Sequence, residues 1–553
     1  MTKKPMTATG RSTAACMVFA AFIQSAAMAR AGIPEKTILI HGLESVQGIT
    51  NTWGGDCTDR RMESSNRENF VSEGKASVRL TGRSSPKSQS HYNALKIPLD
   101  GVDLDCRTVM FDCWTTTPED TQAVYLRLYT KDGKTAGSWS NWGSPFIQSP
   151  RITVRLDYGM GRGGFSWEEK NIDAENARSI AAAEIIIGTR APEAMFDIYV
   201  DNLRASEARR TRFPEIAAAK KLYLDTPLVR AGKPEAMIIA PAGQEYLALA
   251  ARLQTRIREL SGTELPLAAA DTTTADQMQS TTAIQLGNVC NNRAMLPLYA
   301  LLYTPVDDAW PPADGFLAHT VHDPWGTGRN ALVLGGSTPG GVGKAVDALL
   351  ATLKPGRDVV LPKLAIAELG QREMKSIESR RQSLNDEEIQ RQIENARRDY
   401  ARGAHRSVAG RTGSLGHEYA RSGNDMLARL YRELALAWYE SYQAKPDIYG
   451  GPWGMDMDFH LEEILCAWDL IEESPALSDA DRLKVTRILY EFITTDVVRK
   501  ASGALSSRHV RHNHMTFPAL GLFFAGNYFK KGYNCLESDY WLEIAHACFK
   551  LQA

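Results

Sequence analysis

The sequence predicts a multidomain chain: an N-terminal β-sandwich, a small central α/β domain and a C-terminal all-α region. Three observations predict it. Short alternating apolar segments, punctuated by Gly, Pro, Asn and Asp, run from about Thr37 to Ser206. Strand-like runs then alternate with helical patterns from about Ala218 to Leu369. From about Gln371 onward, apolar residues recur at helical spacing. The 553-residue length suits about three domains.

The sandwich, 37–207, rests on VSEGKASVRL, NALKIPLD, AVYLRLYT, ITVRLDY, AEIIIGT and FDIYVDNLRA. Trp139, Trp142 and Trp167 are candidates for stacking on sugar rings, or for the core. Gly159 to Gly164 matches GxGxxG in form but lacks the strand–turn–helix setting of a dinucleotide site, so it reads as a glycine-rich turn. In the α/β domain, 218–369, MIIAPAG precedes the helical run EYLALAARLQTRIREL, and AIQLGN and ALVLGG precede the helix GVGKAVDALLATL. GGSTPGGVGKA fails as a phosphate loop, because Thr338 stands where the first glycine belongs and Ala345 where a magnesium-binding hydroxyl belongs.

The helical region, 371–553, opens on NDEEIQRQIENARRDYA, with acids in its first turn. Leu427, Tyr431, Leu434 and Trp438 share one helical face; Leu461, Leu465 and Trp468 share another. Ser478 is a predicted N-cap with Asp481 at the capping-box position. Short links between these elements predict antiparallel helical hairpins.

Composition limits the partners. The formal net charge of −1 provides no global attraction for nucleic acid. Lys3, Lys4 and Arg11, the small and apolar run Ala14 to Ala27, and two small-x-small sites predict a signal peptide over 1–31. The expected location is therefore periplasmic or secreted, with no membrane partner after cleavage. Cys16 leaves with the signal; the seven remaining cysteines are widely spaced without CxxC, which argues against zinc. Cys57, Cys106 and Cys113 offer either one disulfide or buried thiols.

The candidate site lies in RHNHMTFPALGLFFAGNYF. With Thr516 as N-cap and Pro518 in the first turn, Asn513 and His514 fall just before a helix N-terminus, where free N–H groups favour an anion. Arg508 and Arg511 add forked donors, and His512 adds an imidazole. Such a group can receive a uronic acid carboxylate and stabilise the enolate formed when the neighbouring C–H is deprotonated. A metal site from His509, His512 and His514 lacks an acidic second shell. In YGGPWGMDMDFHLEEI, Tyr449 and Trp453 are candidate sugar-stacking walls and His460 a substrate contact.

HNHMTFPALG resembles the Asn-Asn-His motif of (α/α)-toroid polysaccharide lyases, the alginate lyase and heparinase II/III-like group, with His512 where that motif often has Asn. The resemblance implies a lyase acting by β-elimination on an anionic polysaccharide, with Asn513 holding the carboxylate and His514 neutralising it or acting as base. It also implies that this C-terminal toroid is incomplete, apparently truncated, with the catalytic Tyr beyond Ala553. HGLESVQG, SEGKASVRL and FDIYVDNL resemble jelly-roll carbohydrate-binding modules. That likeness implies a structural calcium, with Glu44 and Asp201 where its ligands would be; no cofactor is implied for catalysis. Two rivals stand beside this reading: an (α/α)-toroid glycoside hydrolase using Asp456 or Asp458, and a non-catalytic carbohydrate-binding protein.

Overall fold

The computed structural model describes residues 36–87, 89–142, 151–157, 177–444, 457–501 and 513–552, with Phe146 and Ser149. Two compact units emerge. One gathers Pro34–Glu215 with Cys535–Tyr540; the other is built on Ile216–Asn534 with Trp541–Ala553.

The first unit is made of β1 (Thr37–His41), β2 (Thr50–Gly54), β3 (Thr58–Ser65), β4 (Ser77–Arg83), β5 (His91–Val102) and β6 (Thr108–Thr115). It continues with β7 (Ala123–Tyr129), β8 (Thr135–Trp142), β9 (Arg151–Asp157), β10 (Ile180–Thr189) and β11 (Met195–Ser206). One sheet runs β3-β4-β11-β6-β9, with β1 also on β11; the other runs β2-β5-β10-β7-β8. Every pairing is antiparallel. The strands face each other because they alternate. Val124, Leu126 and Leu128 of β7 enter one core with Leu95, Ile97, Ile185 and Ile187, opposite Leu80, Phe111, Ile198 and Val200 of the other sheet. Each such side chain contributes about 1.5–3 kcal/mol on burial. Cys57, Cys106 and Cys113 are buried free thiols, not a disulfide.

In the second unit, a six-stranded sheet has the order Leu267–Ala269, Ala236–Ala240, Thr282–Gly287, Ala331–Gly335, Phe316–Val321, Ala365–Glu368. The first four strands are parallel, and Phe316–Val321 is antiparallel to both neighbours. The helix Pro339–Thr352 follows the glycine-rich turn; Thr338 caps it by accepting from the Gly341 N–H at 3.1 Å. Lys344 bonds Glu368 at 2.8 Å, so the segment is a strand-to-helix turn.

The helices that follow are Gln371–Ser383, Asp386–Ala401, His405–Ser422, Met426–Ala444, Leu461–Ile471, Asp479–Phe492, Asn513–Tyr533 and Leu536–Gln552. Asn385 caps the second, and Ser478 and Asp481 form the expected capping box. The helices from Asp386–Ala401 to Asn513–Tyr533 pack mainly on the next but one. His405–Ser422, Leu461–Ile471 and Asn513–Tyr533 form one layer; Asp386–Ala401, Met426–Ala444 and Asp479–Phe492 form another. Leu427, Tyr431, Leu434, Trp438, Leu461, Leu465 and Trp468 are all buried, as their spacing predicts. The first layer is tight at Gly416, where an added Cβ would lie 2.3 Å from the Ala467 Cα. Backbone cannot yield there as a side-chain tip can. Gly416→Ala is expected to cost about 1–3 kcal/mol, read as a lower urea midpoint with unchanged slope.

Candidate functional site

Asn513 and His514 are the first two residues of the helix Asn513–Tyr533, not residues ahead of it. This corrects the expected N-cap: Thr516 lies inside the helix, and its hydroxyl bonds the Gln552 side-chain oxygen at 3.3 Å. The Asn513 side-chain oxygen accepts the N–H of its neighbour His514 at 3.1 Å. Both side chains are exposed.

The short turn Met457–His460 organises this rim. Phe459 is 3 % exposed and presents its ring to three partners. His514 meets it edge-on with centroids 4.7 Å apart, Phe517 stacks at 4.6 Å, and the Arg406 guanidinium lies 4.8 Å from its centroid. Next in sequence, His460 places Nδ1 3.0 Å from the Glu463 carboxylate. Glu463 is placed to accept from that ring nitrogen and so to orient the imidazole. Arg406 and Glu463 were not foreseen. Arg406 sits in a glycine- and serine-bearing stretch, and its link to Phe459 is long-range. Glu463 stands three residues after His460, a helical spacing that was visible in the sequence.

Behind the rim lies a buried acidic group. Lys500 bridges Asp458 at 2.7 Å and Asp496 at 2.8 Å. Asp496 is brought inward by the π-helical stretch Ile493–Val497. Burial pushes the Asp458 carboxyl above its ordinary range, against the pull of Lys500. Glu462 is 8 % exposed, its Oε2 has no hydrogen-bond partner among the described residues, and burial pushes its pKa up to about 8. Among the described residues no group of His, Cys, Asp and Glu is arranged to hold a metal.

The other predicted contacts divide. Arg508, Arg511, His512, Tyr449, Trp453, Asp456 and His509 lie outside the described residues, as do Trp167, the segment 159–164 and the predicted signal peptide. The side chains of Trp139 and Trp142 also lie outside the description. Glu44 and Asp201 are held by the same segment. Glu44 accepts the N–H groups of Lys75 and Ala76, each at 2.9 Å. Asp201 Oδ2 accepts from the Ser72 N–H at 2.7 Å, the Ser72 hydroxyl at 3.0 Å and the Glu73 N–H at 3.2 Å. Both carboxylates thus clasp residues 72–76, and only Asp201 Oδ1 is left without a partner.

The sandwich carries a second candidate surface, on the face of β2-β5-β10-β7-β8 turned away from the core. In register, Gly54, Tyr92, Gly188 and Ala123 form one row, and Lys96, Glu184 and Arg127 another. Tyr125 and Tyr129 flank them on β7, and all three tyrosines are half-buried. Gly54 makes room for a ring: an added Cβ would lie 2.0 Å from Tyr92 Cζ. Glu184 is fixed by the Tyr129 hydroxyl and by Thr52 Oγ1 at 2.6 Å, and Lys96 Nζ lies 4.0 Å from the Tyr129 ring centroid. Aromatic rings with fixed polar groups between them suit sugar rings, which offer apolar faces and hydroxyl edges. Alternation in AVYLRLY sets Tyr125, Arg127 and Tyr129 on one face of the strand. A cavity of about 20 Å³ lined by Tyr303, His319, His322, Lys363, Tyr419 and Glu473 has room for water and none for a sugar.

No protein-family model and no curated protein matches this chain. Solved structures align over about a third of it. One, described as a carbohydrate-binding module of the β-sandwich superfamily with promiscuous specificity, is 16 % identical, with 32 % of this chain and 64 % of that chain covered and a TM-score of 0.24. This chain therefore spans a little under two thirds of that relative. The family 11 module of a cellulosomal cellulase of Clostridium thermocellum is 12 % identical, with 32 % and 97 % covered and a TM-score of 0.23. A Caldicellulosiruptor saccharolyticus module in complex with mannohexaose is 15 % identical, with 31 % and 96 % covered and a TM-score of 0.22. No helix among the described residues is long and apolar enough to cross a membrane.

Proposed function

We propose that this is an exported carbohydrate-active protein that holds polysaccharide on its sandwich face and cleaves a uronic-acid-containing chain by β-elimination at the Asn513–His514 rim. The observation that carries the reading is the gathering of two imidazoles, His514 and His460, and the Arg406 guanidinium around the single turn Met457–His460. In the proposed reaction, Asn513 and His514 hydrogen-bond the sugar carboxylate, which lowers the cost of the enolate. His460, oriented by Glu463, takes the C5 proton at Nε2. The electron pair forms the C4=C5 double bond as the C4–O bond breaks, and protonated His460 returns its proton to the leaving oxygen. The product is an unsaturated uronate absorbing in the ultraviolet, and that absorbance is the test.

The hydrolase alternative needs a pair of carboxyl groups facing substrate. Asp458 is 1 % exposed and committed to Lys500, which leaves it without that role. The binding half of the proposal is tested separately. Tyr125→Ala is expected to weaken retention of the full chain in polysaccharide-impregnated gels severalfold, since an aromatic contact is worth about 0.5–1.5 kcal/mol. Unchanged mobility would remove the sandwich face from the account.

A further inference from the structure

We infer that Arg406 is the specificity-determining cation of this rim: it receives the acidic group of the substrate and selects charged chains over neutral ones. The inference rests on the proposed function of the same site and adds a residue that the sequence motif does not contain. Arg406 is exposed at the start of the helix His405–Ser422, yet its position is set. Its guanidinium lies 4.8 Å from the centroid of Phe459, a ring buried to 3 % exposure and itself stacked on Phe517. A guanidinium laid on an aromatic ring keeps its N–H edge available for forked donation to a carboxylate. No ion pair or hydrogen bond ties Arg406 to the described residues, whereas neighbouring cations are committed: Arg411 to Asp399 at 2.7 Å and Lys500 to Asp458 and Asp496. His514 meets the same Phe459 ring, with centroids 4.7 Å apart. A carboxylate held there would take both N–H donors of the fork and match their charge, which a neutral sugar does not.

The test uses the full chain, a uronic acid trisaccharide and a neutral trisaccharide, with affinity followed by calorimetry and turnover by ultraviolet absorbance. Arg406→Gln is expected to weaken uronate binding about tenfold and leave neutral-sugar binding unchanged; Arg406→Lys, which keeps charge without the fork, recovers only part. The losses from Arg406→Gln and His514→Ala should be non-additive, because both groups would grip one carboxylate. Equal uronate affinity in wild type and Arg406→Gln overturns the assignment, as does additivity of the two losses or no uronate binding by the wild type. A tenfold loss in Arg406→Gln without any absorbance from the wild type would overturn elimination and leave the role of Arg406 standing.

Discussion

Replacing Lys220 with methionine is expected to cost about 3–5 kcal/mol of stability, the penalty for stranding a buried charge. Methionine keeps the length and apolar stem of the side chain and deletes only the ammonium. Lys220 is 10 % exposed, bonds Asp469 Oδ1 at 2.8 Å and pairs with Glu472. Burial alone would lower its pKa, but the two carboxylates outweigh that and hold it above the ordinary lysine range. Asp469 keeps a second cation, Lys531, and the Tyr303 hydroxyl at 2.5 Å. Glu472 keeps less: the Tyr528 hydroxyl at 3.1 Å and the weaker pull of Arg482. In the variant, Glu472 should therefore take up a proton. Its folded pKa then lies above its unfolded one, so the stabilising contribution is present at low pH and lost as pH rises. The deficit should grow with pH in urea titrations, and Lys220→Met combined with Glu472→Gln should recover much of it. A deficit below about 1 kcal/mol, flat with pH, would place the pair among ion pairs that contribute little.

Glu462 yields a pH signature of similar size. Its pKa is raised from 4.5 to about 8, by burial first and then by Glu463 and Asp458. The folded state therefore binds the proton more tightly than the unfolded state. Its contribution is fully present below about 4.5 and fades as pH rises through about 8. The shift corresponds to on the order of 5 kcal/mol across that window. Glu462→Gln imitates the protonated acid, so it should match wild type near pH 5 and exceed it at pH 9. Parallel stability curves for the two proteins would contradict the account.

Much of the scaffold was legible because its signals are local. The capping box at Ser478 and Asp481 needs only three residues of spacing, and the stripe Leu427, Tyr431, Leu434, Trp438 needs only the helical period. The strand-to-helix turn at Thr338 was readable from the missing first glycine of the phosphate-loop pattern. Of the predicted site residues, His514 meets the Phe459 ring and His460 lies in the same turn, while Arg508, Arg511, His512, Tyr449 and Trp453 lie outside the described residues. What stayed hidden depends on distant pairings. Lys220 looks like a surface lysine until Asp469 and Glu472 are folded against it. Arg406 acquires meaning only through Phe459, and Asp496 turns inward because of a π-helical stretch that no simple period announces. Thr516 was misplaced because a Thr ahead of Pro resembles a helix start, while the helix already runs through Asn513.

The central claim is β-elimination at the Asn513–His514 rim. Its most direct measurement is ultraviolet absorbance of the full chain mixed with alginate, heparan sulfate, hyaluronan and chondroitin in turn, with Asn513→Ala and His514→Ala variants alongside. The account predicts a steady rise on at least one acidic polysaccharide, reduced about 100-fold or more in either variant, as befits loss of a group that stabilises developing charge. A rise of equal rate in wild type and variants, or saturated reducing ends released with no absorbance, would contradict it.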